Sequence, residues 1–384
     1  MKNPSFLIFF FIISIIYGLL NYYIINRGWQ CLPKSILIRT AYLTLTIFLA
    51  SSYILGRVLE RTSIPISSEW LLLLGSFWIA YFVYSLMLVL GIDFIRLLNR
   101  IFHFFPDFLQ NPSTKIKYIF GTCAFTIISF IVFIGYANQC SPRIKKMEIK
   151  IAKKTGRKEL RIAFASDIHL GIIYKGNRIK KLVELIDSIH PDVVIFGGDV
   201  IDEDIAPVIR YNLGELLVQI TKKYPTYTIF GNHEYIGGHV KSQNYLEEHG
   251  FQLLQDRVTQ IDSNIYLIGR DDYTGFRFSN IKRKELPELV QSIEASKVKI
   301  LLDHQPFQLQ KVVDAGIDLQ LSGHTHHGQM WPFNFITQSI YELSWGYLKK
   351  GNTHFYVSCG FGTWGPPIRL GSKPEIIDLL LKFE

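Results

Sequence analysis

Five short stretches in the second half of the chain carry residues able to hold a metal ion, and each follows a run that reads as a strand. Asp167-Ile168-His169 follows residues 160–165, Gly197-Gly198-Asp199 follows Val193–Phe196, and Gly231-Asn232-His233-Glu234 follows residues 226–230. Asp303-His304 follows Val298–Leu302, and Gly323-His324-Thr325-His326-His327 follows residues 318–321. Of the 11 histidines in the chain, His169, His233, His304, His324, His326 and His327 all fall in these turns. One such residue alone is an ordinary cap or turn. Five strand ends that each deliver Asp, Asn or His point instead to one shared site, at the edge of an α/β sheet where ligands bind.

The residue types narrow the chemistry. Carboxylate, amide and imidazole together suit borderline divalent ions such as Mn²⁺, Fe²⁺ or Zn²⁺. A single catalytic zinc takes about three protein ligands, fewer than these turns offer, so the pattern predicts two divalent ions that share a carboxylate. Asp199 is the expected bridge, because paired glycines place it where a strand apolar on both faces leaves its sheet.

The elements that must position these residues alternate. Besides the strands above, the hydrophobic periods predict helices over Asn177–Ile189, 207–222, 241–249, 284–295 and 306–315. Short strands are expected near 251–254 and 265–268, and late ones at 354–358 and 376–381. This is an α/β domain over residues 159–384.

The first third is different. Apolar stretches of about the length needed to cross a bilayer cover roughly 6–25, 36–56, 70–92 and 116–137. They predict an all-α, four-helix transmembrane region over residues 1–140, its first span a retained anchor. Between the third and fourth spans, Phe94, Leu97, Leu98 and Ile101 alternate with Arg96 and Arg100. That segment is either an amphipathic surface helix or an extension of the third span. Residues 141–158 form a basic linker. With four spans both ends share a side, and the lysines and arginines from Arg143 to Lys158 place the catalytic domain in the cytoplasm.

Charge follows the same division. Through Lys158 there are 18 Lys and Arg against 5 Asp and Glu, and beyond it 23 against 27. A nucleic-acid-binding catalytic domain would carry the positive charge itself, so no nucleic acid is expected as partner. Cys31, Cys123, Cys140 and Cys359 have no metal-type spacing, and only Cys359 lies in the second part.

The blocks DIH, GGD, GNHE, DH and GHTHHGQ, in that order, resemble the signature of the calcineurin-like metallophosphoesterase family. The tail HFYVSCGFGTWGPPIRLGSKPEI is similar to that of a bacterial branch with membrane-anchored phosphodiesterases. The resemblance implies a four-layer α-β-β-α sandwich. It implies one ion on Asp167, His169 and His326 and another on Asn232, His304 and His324, with Asp199 between them. It also implies that His233 is the general acid, oriented by Asp202, and that a hydroxide bridging the ions attacks the phosphorus. The other reading of Asp202 is a helix N-cap. The family's purple acid phosphatases have a tyrosine ligand where Asp202 stands, so no coloured ferric site is expected. Asp303 and His327 depart from the usual wording; His327 is expected at the rim. Arg369 and Arg270 either clamp a phosphate or are solvated charge.

The expected activity is hydrolysis of a phosphodiester or pyrophosphate bond in a lipid-linked or nucleotide-linked substrate beside a lipid bilayer. A membrane-tethered phosphoprotein phosphatase and a non-catalytic metal-binding scaffold are the alternatives. Residues 330–347, rich in aromatics, either form a flap over the site or pack on the second sheet.

Overall fold

The computed structural model describes residues 4–60, 65–280 and 282–384. The chain divides into two compact units, Met1–Ile134 and Gly135–Glu384. Among the described residues three helices, not the expected four, are long and apolar enough to cross a bilayer: Ile36–Glu60, Ser68–Phe102 and Thr114–Gln139, with mean hydropathies of 1.5, 2.0 and 2.1. The first expected span forms a helix, Pro4–Trp29, but the side chains of residues 6, 7, 9 and 10 lie outside the described ones. The helix carrying the third expected span runs unbroken over Pro65–Phe102, 38 residues. At about 1.5 Å per residue it is far longer than a bilayer core, so the segment with Arg96 and Arg100 extends this helix and is not a separate element.

The second unit holds two six-stranded mixed sheets. The first contains β1 (Arg143–Ile151), β2 (Glu159–Ala165), β3 (Val193–Phe196), β4 (Thr226–Thr228) and β5 (Gln252–Leu253). The second contains β6 (Arg257–Asp262), β7 (Ile265–Gly269), β8 (Val298–Leu302), β9 (Leu319–Ser322), β10 (Gly346–Lys350) and β11 (Thr353–Val357), and β12 (Glu375–Phe383) returns to the first. The orders are β1-β12-β2-β3-β4-β5 and β10-β11-β9-β8-β7-β6. Strands β2 to β5 run parallel, as do β7, β8, β9 and β11. Parallel strands end on one edge, which is why so many turns deliver ligands to the same place.

Alternation along the strands builds the layers. Ile162, Phe164, Val193 and Ile195 meet Ile300, Leu302, Leu319, Leu321 and Tyr356 between the sheets. Their neighbours Ala163, Ala165, Val194 and Phe196 face the other way, onto Leu182, Ile186, Leu217 and Leu246 of the covering helices. On the second sheet Ile268, Leu301 and Phe355 pack on Leu286, Leu289, Leu309 and Val312. This is the expected α-β-β-α sandwich.

Residues 141–158 are not merely a linker. Arg143–Ile151 is the edge strand β1, in parallel register with β12 from Arg143↔Glu375 to Ile151↔Phe383, and its lysines guard an open edge. The helix expected at 241–249 begins earlier, at Asn232, and spans a kink at Gly238 (φ 107°). The one expected over 207–222 is two short helices, Ala206–Arg210 and Glu215–Thr221.

Phe164 is wholly buried between the sheets. Phe164→Ala is expected to cost about 3–5 kcal/mol in denaturant unfolding of the detergent-solubilised chain; a loss under about 1 kcal/mol would contradict this core.

Candidate metal centre

Tight turns set the ligands at the strand ends. Asp167, His169, Asp199, His324 and His326 all have left-handed backbone, with φ of 54°, 53°, 50°, 71° and 46°. Side chains seldom adopt that conformation, and it persists only where surroundings over-determine it. Here the turns hold one another. The N–H of Asp167 donates to Gly198 O and that of His169 to Asp199 O, both at 3.0 Å, and Gly362 N–H donates to Asp167 O at 2.7 Å. Gly231 allows the closest approach: a Cβ there would lie 2.2 Å from Asp199 Oδ1 and 2.6 Å from His304 Nε2.

The side chains form three overlapping groups, Asp167 with His169 and His326, His169 with Asp199 and His233, and Asp199 with His304 and His324. Within each group the candidate ligand atoms lie no more than 4.8 Å apart. His169 Nε2 stands 3.0 Å from His326 Nε2, and His326 Nε2 is 3.5 Å from Asp167 Oδ1. Asn232 Oδ1 is 2.8 Å from His324 Nδ1. All seven expected ligands therefore converge, and Asp199 faces both sides of the cluster.

The polar atoms of the cluster fit a cation. His304 Nδ1 faces Gly197 O at 2.8 Å, a carbonyl that can only accept, so this nitrogen carries a proton and Nε2 is the atom turned to the cluster. Nε2 lies 3.1 Å from Asp199 Oδ2, so a proton or a metal ion has to stand between the two atoms. Asp167 Oδ2 and His304 Nε2 are buried with no hydrogen-bond partner. Burial, then His169 and Arg369, hold His326 well below the usual imidazole range. Burial and His304 bring His324 down to about 4. Both rings are thus neutral, as metal binding would need. Burial would likewise lower His304, but Asp199 outweighs it and raises this imidazole.

His233 is built differently. Its N–H donates to Asp199 Oδ1 at 2.9 Å, and its Nδ1 lies 3.1 Å from Asp202 Oδ1. Burial alone would lower it, yet the charge of Asp199 and the bond to Asp202 raise it to about 10. Against its own burial, Asp202 is held far below the carboxylate range by His169 and His233. The N-cap reading of Asp202 does not hold: Asp204 Oδ1 accepts the Ala206 N–H at 2.9 Å, and the side chain of Asp202 faces the histidines.

Both arginines expected at a phosphate are occupied by protein. Arg369 is fully buried; its Nη2 stands 3.2 Å from His326 Nδ1 and donates to Gly362 O at 2.6 Å, and its Nη1 donates to Ser372 Oγ at 3.1 Å. It lies behind His326. Arg270 Nη2 donates to Lys284 O at 2.6 Å and its Nη1 is 3.9 Å from Asp303 Oδ2, so it is not solvated surface charge either. His327 is buried against Trp345, with Nδ1 3.2 Å from Ser344 Oγ, and takes no part in the cluster.

Two residues were not singled out by the sequence. Arg283 pairs with Asp303, the unusual acid before His304; it lies in a segment with no periodic signal. Glu234 is fully buried and accepts N–H groups from Asp199 (3.1 Å), Ile201 (2.9 Å) and Gly231 (2.8 Å). It ties two ligand turns together. Burial and then the charge of Asp199 raise it to about 7. The wording GNHE contained this residue, but only the fold shows which amides it reaches.

A sandwich of two mixed sheets whose turns gather aspartate, asparagine and histidine defines a metal-dependent phosphoester hydrolase. The family model for calcineurin-like phosphoesterases matches residues 160–328, and the chain belongs to that family. It is 29% identical to an uncharacterized metallophosphoesterase of Campylobacter jejuni over 98% of this chain and 99% of that protein. It is 30% identical to one of Bacillus subtilis, over 65% of this chain and 95% of the other. A Bos taurus transmembrane protein with a metallophosphoesterase domain is 30% identical over 67% of this chain and 60% of its own length. Relatives of this kind and the apolar helices make this a membrane protein.

Asp199→Asn and Gly231→Ala are each expected to lower bound metal to less than half the wild-type content, measured by elemental analysis of the dialysed full chain; unchanged content in both would remove Asp199 from the site. Glu234→Ala leaves three buried amides without an acceptor, each at about 1–3 kcal/mol, so it is expected to unfold at clearly lower denaturant concentration. A midpoint equal to wild type would show that these amides find other acceptors.

Proposed function

We propose that this protein is a multi-pass membrane phosphoesterase that uses two divalent ions to hydrolyse a phosphodiester or pyrophosphate bond in a lipid-linked or nucleotide-linked substrate. The observation that carries this reading is the facing pair at the centre, His304 Nε2 against the buried Asp199 carboxylate at 3.1 Å, with a second group of candidate ligands on the far side of Asp199. Asp167, His169 and His326 would hold one ion and Asn232, His304 and His324 the other, with Asp199 shared. Bound there, the ions would supply an activated water and take up charge on the phosphate.

The chain's own residues do the rest. His233 keeps a proton at Nδ1 toward ionised Asp202, so its Nε2 is the atom that delivers a proton to the leaving oxygen. Asp202 fixes the ring, since it also lies 3.4 Å from His169 Nδ1. Arg369 and Arg270 are committed to protein partners, which leaves the charge of the phosphate to the metal cluster. Residues 141–158 supply the positive flank that assigns the catalytic unit to the cytoplasmic side; protease access only from the external face of intact cells would reverse that assignment.

The test is hydrolysis of an aryl phosphodiester and an aryl phosphomonoester by the Mn²⁺-loaded full chain in detergent, alongside phospholipids and nucleotide-linked lipids. His233→Ala is expected to keep its metal and lose roughly 10²- to 10⁴-fold in kcat. A rate within twofold of wild type would take the acid role from His233. Wild-type inactivity on every substrate would favour the scaffold, and equal rates on lipid and soluble nucleotide substrates would remove the lipid preference.

A further inference from the structure

Among the described residues of the second unit, the exposed large hydrophobic side chains are not scattered. Apart from Tyr136 and Tyr347, all of them lie on segments that leave the same edge of the sheets as the candidate metal ligands. Ile236 and Val240, 47% and 59% exposed, follow β4 and Asn232. Phe276, 59% exposed, follows β7. Trp331 and Ile336, 52% and 54% exposed, follow β9 and His326, and Trp364, 52% exposed, follows β11. The helix Asn334–Ile340 buries none of its residues, so it is not packed into the core of the second sheet. The opposite edge, where β2 to β5 and β7 to β9 begin, contributes no such side chain. A soluble face with an apolar rim of this kind marks an interaction surface.

The fold indicates what that surface meets. Gly135–Gln139 is the last stretch of a helix apolar enough to span a bilayer, and it is bound onto the rim's own segment. Gly135 O accepts the Arg369 N–H at 2.9 Å. Asn138 Nδ2 donates to Arg369 O at 3.0 Å and Ser372 O at 2.7 Å, and Gln139 Nε2 donates to Phe361 O at 3.3 Å. Both tryptophans hang from this segment: Trp331 N–H donates to Leu370 O at 2.9 Å, and Gln329 Nε2 holds Trp364 O and Pro366 O at 3.1 and 2.9 Å. The end of a spanning helix lies at the water–lipid boundary, and tryptophan is the side chain that settles there.

We infer that the metal-bearing face of the catalytic unit rests on the lipid surface, with Trp331, Trp364 and the helix Asn334–Ile340 seated among the headgroups. The apolar rim is then covered in the protein's working state, and phosphate groups at the bilayer surface lie at the height of the ligand turns. The inference stands on exposure and hydrogen bonding and is independent of the reaction assigned above.

Its test needs no activity. The full chain and its Trp331→Phe/Trp364→Phe variant are reconstituted in phosphatidylcholine–phosphatidylglycerol nanodiscs, and the difference between their emissions isolates the two tryptophans. That difference emission is expected to be blue-shifted, to lose most of its intensity when the acyl chains are brominated near the carbonyl, and to resist aqueous acrylamide. Quenching by acrylamide with none by bromolipid would overturn the proposal, because the face would then be in water. Resistance to both quenchers would overturn it too, because the rim would then be covered by protein, such as a second copy. Should the double variant fail to fold, each single variant gives the same reading. Ile336→Glu/Phe276→Glu should raise acrylamide access to Trp331; access equal to wild type would count against lipid contact.

Discussion

Asp167 and Asp199 are exposed by only 0% and 2%, and among the described residues no lysine or arginine pairs with either. An ionised carboxylate in such surroundings is costly unless a positive charge meets it. The protein surrounds these two with imidazoles and backbone N–H groups, then leaves Asp167 Oδ2 and His304 Nε2 without partners. The sheet edge, the left-handed ligand residues and Glu234 all keep that arrangement from relaxing. Without a cation, Asp199 raises His304 and His233, drawing protons onto the imidazoles; a bound metal takes the place of protons on its ligands.

Glycine and glutamate hold this in place from beneath. Gly231 has no side chain, so the β4 turn can touch both Asp199 and His304. Glu234 collects three amides from two turns, fixing β3 and β4 at one relative height. Arg369 closes the far side, where its guanidinium rests on His326 and its backbone N–H and carbonyl are bound by Gly135 and Asn138. The metal centre is thereby joined, through hydrogen bonds within one unit, to the stretch of chain that emerges from a spanning helix.

The cluster was legible because residue type and strand-end position coincide: Asp, Asn and His after apolar runs have few other reasons to recur five times. Asp202 was open between two roles that only distance could separate, and it is Asp204 that accepts the Ala206 N–H at the start of the next helix. What the sequence hid depends on partners far along the chain. Arg143–Ile151 looked like a charged linker because its pairing strand, β12, lies more than two hundred residues on. Gly237 and Gly238 masked the first turns of the helix that begins at Asn232. Arg369 has the chemistry of a phosphate clamp, and only its burial beside His326 reassigns it. The first span was read from hydropathy alone; it forms the helix Pro4–Trp29, while among the described residues the other three meet the measure of length and composition.

The central claim is that Asp199 joins two ions in one site. Electron paramagnetic resonance of the full-length protein titrated with Mn²⁺ tests this directly, because two manganese ions that share a carboxylate are magnetically coupled. The account predicts a coupled-pair spectrum that grows in as the second ion binds. A spectrum of isolated Mn²⁺ at saturation would contradict it.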